Sequence, residues 1–279
     1  MHGTVRQDGS GALPDGLGQA IRGTAEEIAA LVRAAPDTAL AVPGSEWTLG
    51  EAAAHLALAN ELMADLAAGR ERPYGDGTPQ SLAAANAQSL DTFGERRAEP
   101  LAAMITDQAE AFLDALERPT AGGSADDPVP DTPLGPMQRS VLASYLLTHM
   151  LGHGYDLARA LNRPHMVDRA RVGLCMPFML SVMPRVADSA ATAGLTARYR
   201  IRLRGGEAFG VSLADGAVQV TAGTPAHRTD CTILLEPVAF LLIALGRLNP
   251  WRAIAQGQVL AWGPKPWLAP RFPTLFTAP

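Results

Sequence analysis

Cysteine is nearly missing from this chain. Cys175 and Cys231 are the only two in 279 residues, far apart and outside any Cys-x-x-Cys spacing. No disulfide framework is implied, and two reduced, buried thiols are expected. Long apolar runs are missing too. The longest near the C-terminus, Val238-Ala-Phe-Leu-Leu-Ile-Ala-Leu245, falls far short of the roughly 20 residues that span a bilayer. There is no excess of positive charge. The formal net charge is -5, which gives no electrostatic footprint for nucleic acid or an anionic membrane surface. Residues 1–15 place Gly, Asp and Ser where a signal peptide needs a continuous apolar core. The expectation is a flexible N-terminus on a cytoplasmic protein whose partners are small molecules.

What is present suits two globular units. Hydrophobic residues make up 47% and charged residues 18% of a length that is generous for one core. Helical spacing runs from Leu17 to Ala35, where Pro36 ends it. Thr48 and Glu51 have the spacing of a capping box, predicting a helix to about Ala68 with Trp47 as a structural staple before the cap. Thr78-Pro79 predicts a helix to about Arg97, and Glu99-Pro100 another to about Arg118. Residues 119–136, rich in Pro, Gly and Asp, read as an irregular connection. A helix then runs to Asn162-Arg163-Pro164, an Asn C-cap signal backed by proline. This makes four main long helices and a short lead-in, a helical bundle over residues 16–165.

Beyond Pro164 the periodicity changes. Val167 to Ala190 reads as one helix kinked by Pro177 and Pro184 and joining two separate cores. Ala197 to Arg204 then alternates in period two, with Arg198, Arg200, Arg202 and Arg204 on a solvated face. Further strands are expected at Phe209–Leu213, Val218–Thr221, Cys231–Leu235 and Gln258–Trp262, with Asp215-Gly216 as a hairpin turn. Helices are expected at Val238–Leu245 and Trp267–Phe276. Residues 166–279 are thus predicted to be an α+β unit with a mostly antiparallel sheet.

The candidate site centres on Thr148-His149-Met-Leu-Gly-His153-Gly-Tyr-Asp156. Positions i and i+4 on a helix put both imidazoles on one face, shared here with Leu142, Tyr145, Asp156 and Ala160. The pair alone reads more readily as two histidines satisfied by hydrogen bonds inside a bundle. His55 changes the balance, because it lies on the inward face of the second long helix, with Ala52, Ala59 and Leu62. Three neutral nitrogens on two helices fit the way bundles hold a metal in their cores, and they leave the fourth position of zinc open. His2, His165 and His227 fall outside this pattern.

Trp47-Thr-Leu-Gly-Glu-Ala-Ala-Ala-His55 followed by His149-Met-Leu-Gly-His153-Gly-Tyr-Asp156 resembles the DinB-like metalloenzymes, and within them the mycothiol-dependent maleylpyruvate isomerase family. Asp230-Cys-Thr-Ile-Leu-Leu-Glu-Pro-Val-Ala-Phe through Gly246-Arg247, then Gly257 to Gly263, resembles the sterol-carrier-protein-like domain often found at that family's C-terminus. The resemblance implies a divalent metal, commonly zinc, on His55, His149 and His153, with mycothiol as a thiol co-substrate. One departure stands out: the isomerases carry a glutamate where this chain has His149. A neutral ligand in place of an anionic one leaves the metal more electrophilic. That places the chain among thiol S-transferases acting on a small electrophilic metabolite, as in natural-product biosynthesis. The alternatives are a cis–trans isomerase of the maleylpyruvate type and a non-catalytic small-molecule or lipid carrier. Asp156 is expected either to orient a ligand or take a proton, or else to serve as a cap or surface ion pair. Arg247 is expected to bind an anionic group of thiol or substrate across the domain cleft, or to be an ordinary charge ending its helix.

Overall fold

The computed structural model describes residues 13–118, 128–129, 132–225 and 228–277. Residues 1–12 of the expected flexible terminus, His2, His227 and most of the 119–136 connection lie outside them. The first helix, α1 (Leu17–Arg33), buries Ile21, Ala25, Ile28 and Val32, and α2 (Leu49–Ala67) buries most of its circumference. Next come α3 (Leu82–Thr92), α4 (Ala98–Glu117) and α5 (Arg139–Ala160). The bundle consists of α1, α2, α4 and α5, since α1 and α2 each pack against both α4 and α5.

The first helix, α1, is therefore a full bundle member, and α3 is the peripheral helix. Its sequence explains the demotion. Pro79 opens only a short 3-10 turn (Pro79–Ser81), Thr78 makes no side-chain cap, and Leu90 is the one fully buried residue of α3. The helix stops at Thr92, short of the expected Arg97. The 119–136 connection is not wholly irregular, because Pro128–Val129 (β1) pairs antiparallel with Met137–Gln138 (β2). At the far end of α5, Asn162 adopts φ 51°, and the Arg163 N–H reaches the Ala158 carbonyl at 2.8 Å. This is the left-handed stop that the Asn-Arg-Pro signal predicts.

The helix after Pro164 is shorter than expected: α6 spans Arg169–Val182, and Pro184 lies beyond it. Pro177 is inside. Proline has no N–H, and its ring pushes away the carbonyl one turn back. At the next bond of the opened ladder the Ser144 hydroxyl of α5 bridges the turn, donating to the Leu174 carbonyl at 2.8 Å and accepting the Phe178 N–H at 3.1 Å. The buried side chains of the two halves meet through α6, so the packing is continuous from the helical part to the sheet.

After the single turn α7 (Ser189–Thr192), strands β3 (Ala197–Leu203), β4 (Ala208–Ala214), β5 (Ala217–Ala222), β6 (Cys231–Leu235) and β7 (Val259–Trp262) form one sheet in the order β5-β4-β3-β6-β7. Only β3 and β6 run parallel; the other pairings are antiparallel. Asp215 and Gly216 turn the β4–β5 hairpin with φ 51° and 80°, the two left-handed positions such a tight turn needs. In β3, Tyr199, Ile201 and Leu203 are buried while Arg198 and Arg202 are exposed. Between β6 and β7 lie α8 (Pro237–Ala244) and α9 (Pro250–Ala255). The closing segment is two 3-10 turns, Pro266–Arg271 and Pro273–Leu275, rather than an α-helix. Pro270 and Pro273 remove the donors a regular helix requires there.

Candidate metal centre

The capping box forms as the sequence predicts. Glu51 N–H reaches the Thr48 hydroxyl at 3.3 Å, and Thr48 N–H donates to Glu51 Oε2 at 2.7 Å. It fixes where α2 begins, and His55, two turns on, points inward. Across the bundle, α5 presents His149 and His153 with ring centres 4.6 Å apart. His55 lies 4.9 Å from the first ring and 4.8 Å from the second. One ring nitrogen from each histidine lies within 4.8 Å of the others, and His55 Nε2 is 3.0 Å from His149 Nε2.

Electrostatics favour neutral rings. Burial pushes His55 down to about 4, helped by the positive charge of Arg247. Burial, then the neighbouring histidines and Arg247, hold His149 and His153 well below their usual value. Neutral imidazoles are metal donors, and protonated ones are not. The alternative, histidines satisfied by hydrogen bonds alone, leaves His149 Nδ1 buried without a partner among the described residues. The donor set therefore fits one divalent metal of the zinc type.

Asp156 and Arg247 meet at this site. Asp156 Oδ2 lies 3.7 Å from His153 Nδ1 and accepts hydrogen bonds from Arg247 Nε and Nη2 at 3.2 and 2.9 Å. Their side chains are only 14% and 19% exposed, so this is not a surface ion pair. Arg247 also donates to the carbonyl of Leu245. Trp47 is more than a staple: its ring centre is 4.9 Å from that of His55 and 6.0 Å from that of His153. Tyr145, one turn before His149, stacks on Phe178 of α6 at 4.3 Å. Its position on the histidine face was the available signal, although only the fold supplies Phe178. His165 packs against Tyr155, away from the histidine cluster. Burial pushes the thiols of Cys175 and Cys231 up to about 12 and about 11, so neither is a nucleophile at neutral pH.

The histidine cluster and the Asp156–Arg247 pair open on a cavity of about 1130 Å³. Trp47, the three histidines, Tyr145 and Asp156 line its bundle end, and residues of α6, the sheet, α8 and the closing segment line the other.

The family model described as the mycothiol maleylpyruvate isomerase N-terminal domain matches residues 18–158, and that of the SCP-2 sterol transfer family matches residues 182–263. No curated protein matches the chain. Among solved structures, a histidine-to-alanine variant of the mycothiol-dependent maleylpyruvate isomerase is similar at 12% identity, over 89% of this chain and 93% of that one, with a TM-score of 0.53. The same isomerase without that substitution gives 13% identity, the same coverage and a TM-score of 0.49. A sec-alkylsulfatase from Pseudomonas sp. shares 17% identity over 50% of this chain, with a TM-score of 0.35. This chain spans 24% of the sulfatase's length. Among the described residues, no helix is long and apolar enough to cross a membrane.

Proposed function

Because the chain belongs to the mycothiol maleylpyruvate isomerase N-terminal domain family, with an SCP-2 domain behind it, we propose that it is a metal-dependent enzyme using mycothiol as co-substrate. Its reaction on this reading is S-transfer to an electrophilic metabolite. The helical unit at 16–165 holds the metal on His55, His149 and His153, and the unit at 166–279 completes the site. The observation that carries the reading is the convergence of three neutral histidines on one wall of a large cavity.

Zinc bound there supplies Lewis acidity that brings a thiol, ordinarily titrating near 8.5, into its nucleophilic form at neutral pH. The protein's own groups do the positioning. Burial keeps the three imidazoles unprotonated. Asp156 faces His153 Nδ1 and would orient that ring for a metal, and Arg247 fixes the carboxylate. Trp47 packs beside two of the three rings, at ring-centre distances of 4.9 and 6.0 Å. In the reaction, the thiol loses its proton to solvent, its sulfur forms a bond to the substrate carbon, and the leaving group departs with the bonding pair.

A second reading, cis–trans isomerisation of the maleylpyruvate type, is favoured by the family relation itself. There the thiol adds to a conjugated double bond, the former double bond rotates, and the thiol leaves again. His149, standing where the isomerases resemble one another in carrying glutamate, favours transfer. Titrating cobalt-substituted protein with mycothiol tests both, since sulfur ligation appears as a charge-transfer band. Mass spectrometry with candidate electrophiles then separates a retained thiol adduct from an isomerised product. No band on thiol addition, together with tight lipid uptake, favours the carrier reading instead.

A further inference from the structure

One cavity-lining hydroxyl on the histidine face of α5 has no acceptor among the described residues. Tyr145 stands four residues before His149, about 6 Å along the helix axis, and its ring meets the His149 ring edge-on, at 88° with centres 6.4 Å apart. Its plane is fixed. The ring stacks on Phe178 of α6, whose N–H is in turn held by the hydroxyl of Ser144, the residue before Tyr145, at 3.1 Å. Neighbouring donors are committed. Thr148 Oγ1 donates to the Ser144 carbonyl at 2.7 Å, the Tyr74 hydroxyl to Asn86 Oδ1 at 2.5 Å, and Arg247 to Asp156 and the Leu245 carbonyl. Ser45, Glu46, Gln80 and Arg159 line the cavity from exposed positions, as do Trp251 and Thr277. The Tyr145 hydroxyl differs from all of these: it is half-buried, lines the cavity and donates to none of the described residues.

A phenol titrates near 10, so at neutral pH this hydroxyl keeps its proton and is available as a donor. A donor already oriented in a sheltered site stabilises charge that develops opposite it, at no cost in reorganisation. We propose that Tyr145 is a catalytic hydrogen-bond donor to an oxygen of the electrophile, whose reacting carbon is therefore activated by a carbonyl. This rests on the thiol-dependent reading and adds a residue to its chemistry. As the sulfur bonds to the substrate carbon, the π pair of that carbon's double bond moves onto the conjugated carbonyl oxygen. There the Tyr145 O–H meets it and keeps its own proton. The pair then returns to expel a leaving group, to release the thiol after rotation, or to take a solvent proton at carbon. One donor serves every outcome.

Tyr145→Phe removes the hydroxyl and keeps the ring that stacks on Phe178. The probe is cyclohex-2-enone, uncharged and carbonyl-activated, offered to the full-length, cobalt-loaded protein. Without thiol, the infrared carbonyl stretch of the bound enone should lie lower in the parent than in Tyr145→Phe, since a hydrogen bond weakens the C=O bond. With mycothiol, kcat for adduct formation should fall about 100-fold in the variant while KM stays within about threefold. The cobalt spectrum and the sulfur band should be the same in both proteins. No enone binding, equal stretches in the two proteins, an unchanged kcat, or a loss of rate that comes with an altered cobalt spectrum overturns the inference. Mycothiol titration separates the two levels. A sulfur band with equal stretches rejects the donor alone, whereas a stretch shifted by Tyr145 without the band rejects the thiol reading beneath it.

Discussion

Asp156 Oδ2 sits 2.9 Å from Arg247 Nη2 and 3.7 Å from His153 Nδ1, so one carboxylate oxygen joins the histidine helix to the turn after α8. The charges are mostly but not wholly buried, and removing one partner leaves the other poorly solvated. Arg247→Met should cost about 2 kcal/mol in urea unfolding, less than a fully buried pair because water still reaches the site. Asp156→Asn should weaken metal affinity roughly tenfold, the low end for a group behind a ligand. Unchanged affinity in a folded Asp156→Asn protein would leave the carboxylate a purely structural contact.

Metal analysis of the purified protein should return one equivalent of divalent metal. Single His55→Ala, His149→Ala and His153→Ala variants should each lose most of it, since two neutral nitrogens hold zinc far less well than three. Full metal retained by His153→Ala would sink the site as drawn.

Acid should destabilise the metal-free protein through these same residues. An unfolded histidine titrates near 6.5, whereas folded His55 is held at about 4 and the other two well below the ordinary value. Below pH 6.5 the unfolded chain takes up protons that the folded one refuses. Stability is therefore whole above about pH 6.5 and falls as pH drops toward 4, by about 3 kcal/mol for His55 alone. Comparing urea midpoints of the parent and a His55→Gln variant between pH 7 and 4.5 isolates the effect. Equal slopes for the two would count against it.

Ser144→Ala should cost about 1–3 kcal/mol, because the hydroxyl serves both the Leu174 carbonyl and the Phe178 N–H at a buried position. A thermal midpoint lowered by several degrees, with the metal content kept, is the expected outcome. No change would mean that water replaces the hydroxyl.

Much of this architecture was legible in the residues, where a local rule decided the outcome. The Thr48–Glu51 box, the Asn162 stop, the Asp215-Gly216 turn and the alternation of β3 depend on near neighbours, and all are present. The inward spacing of His55, His149 and His153 was readable for the same reason. What depended on distant partners was not. The parallel pairing of β3 with β6 joins segments about thirty residues apart, with a whole hairpin between them. Pro177 signalled a break in α6, but nothing local shows that Ser144 mends it. Asp156 and Arg247 each had a bland reading because their meeting requires both halves to be folded. Trp47 was read only as a staple, since the cavity it borders belongs to the tertiary structure.

The repaired break in α6 also governs how this chain can be recombined. The bundle family's match ends at residue 158 and the SCP-2 match begins at residue 182, so α6 (Arg169–Val182) falls almost wholly between them. A chimaera cut at either boundary and rebuilt with a foreign α5 would strand the Phe178 N–H in an apolar interior. For grafting, the inherited unit is the α5–α6 pair, with Ser144 and Pro177 transferred together.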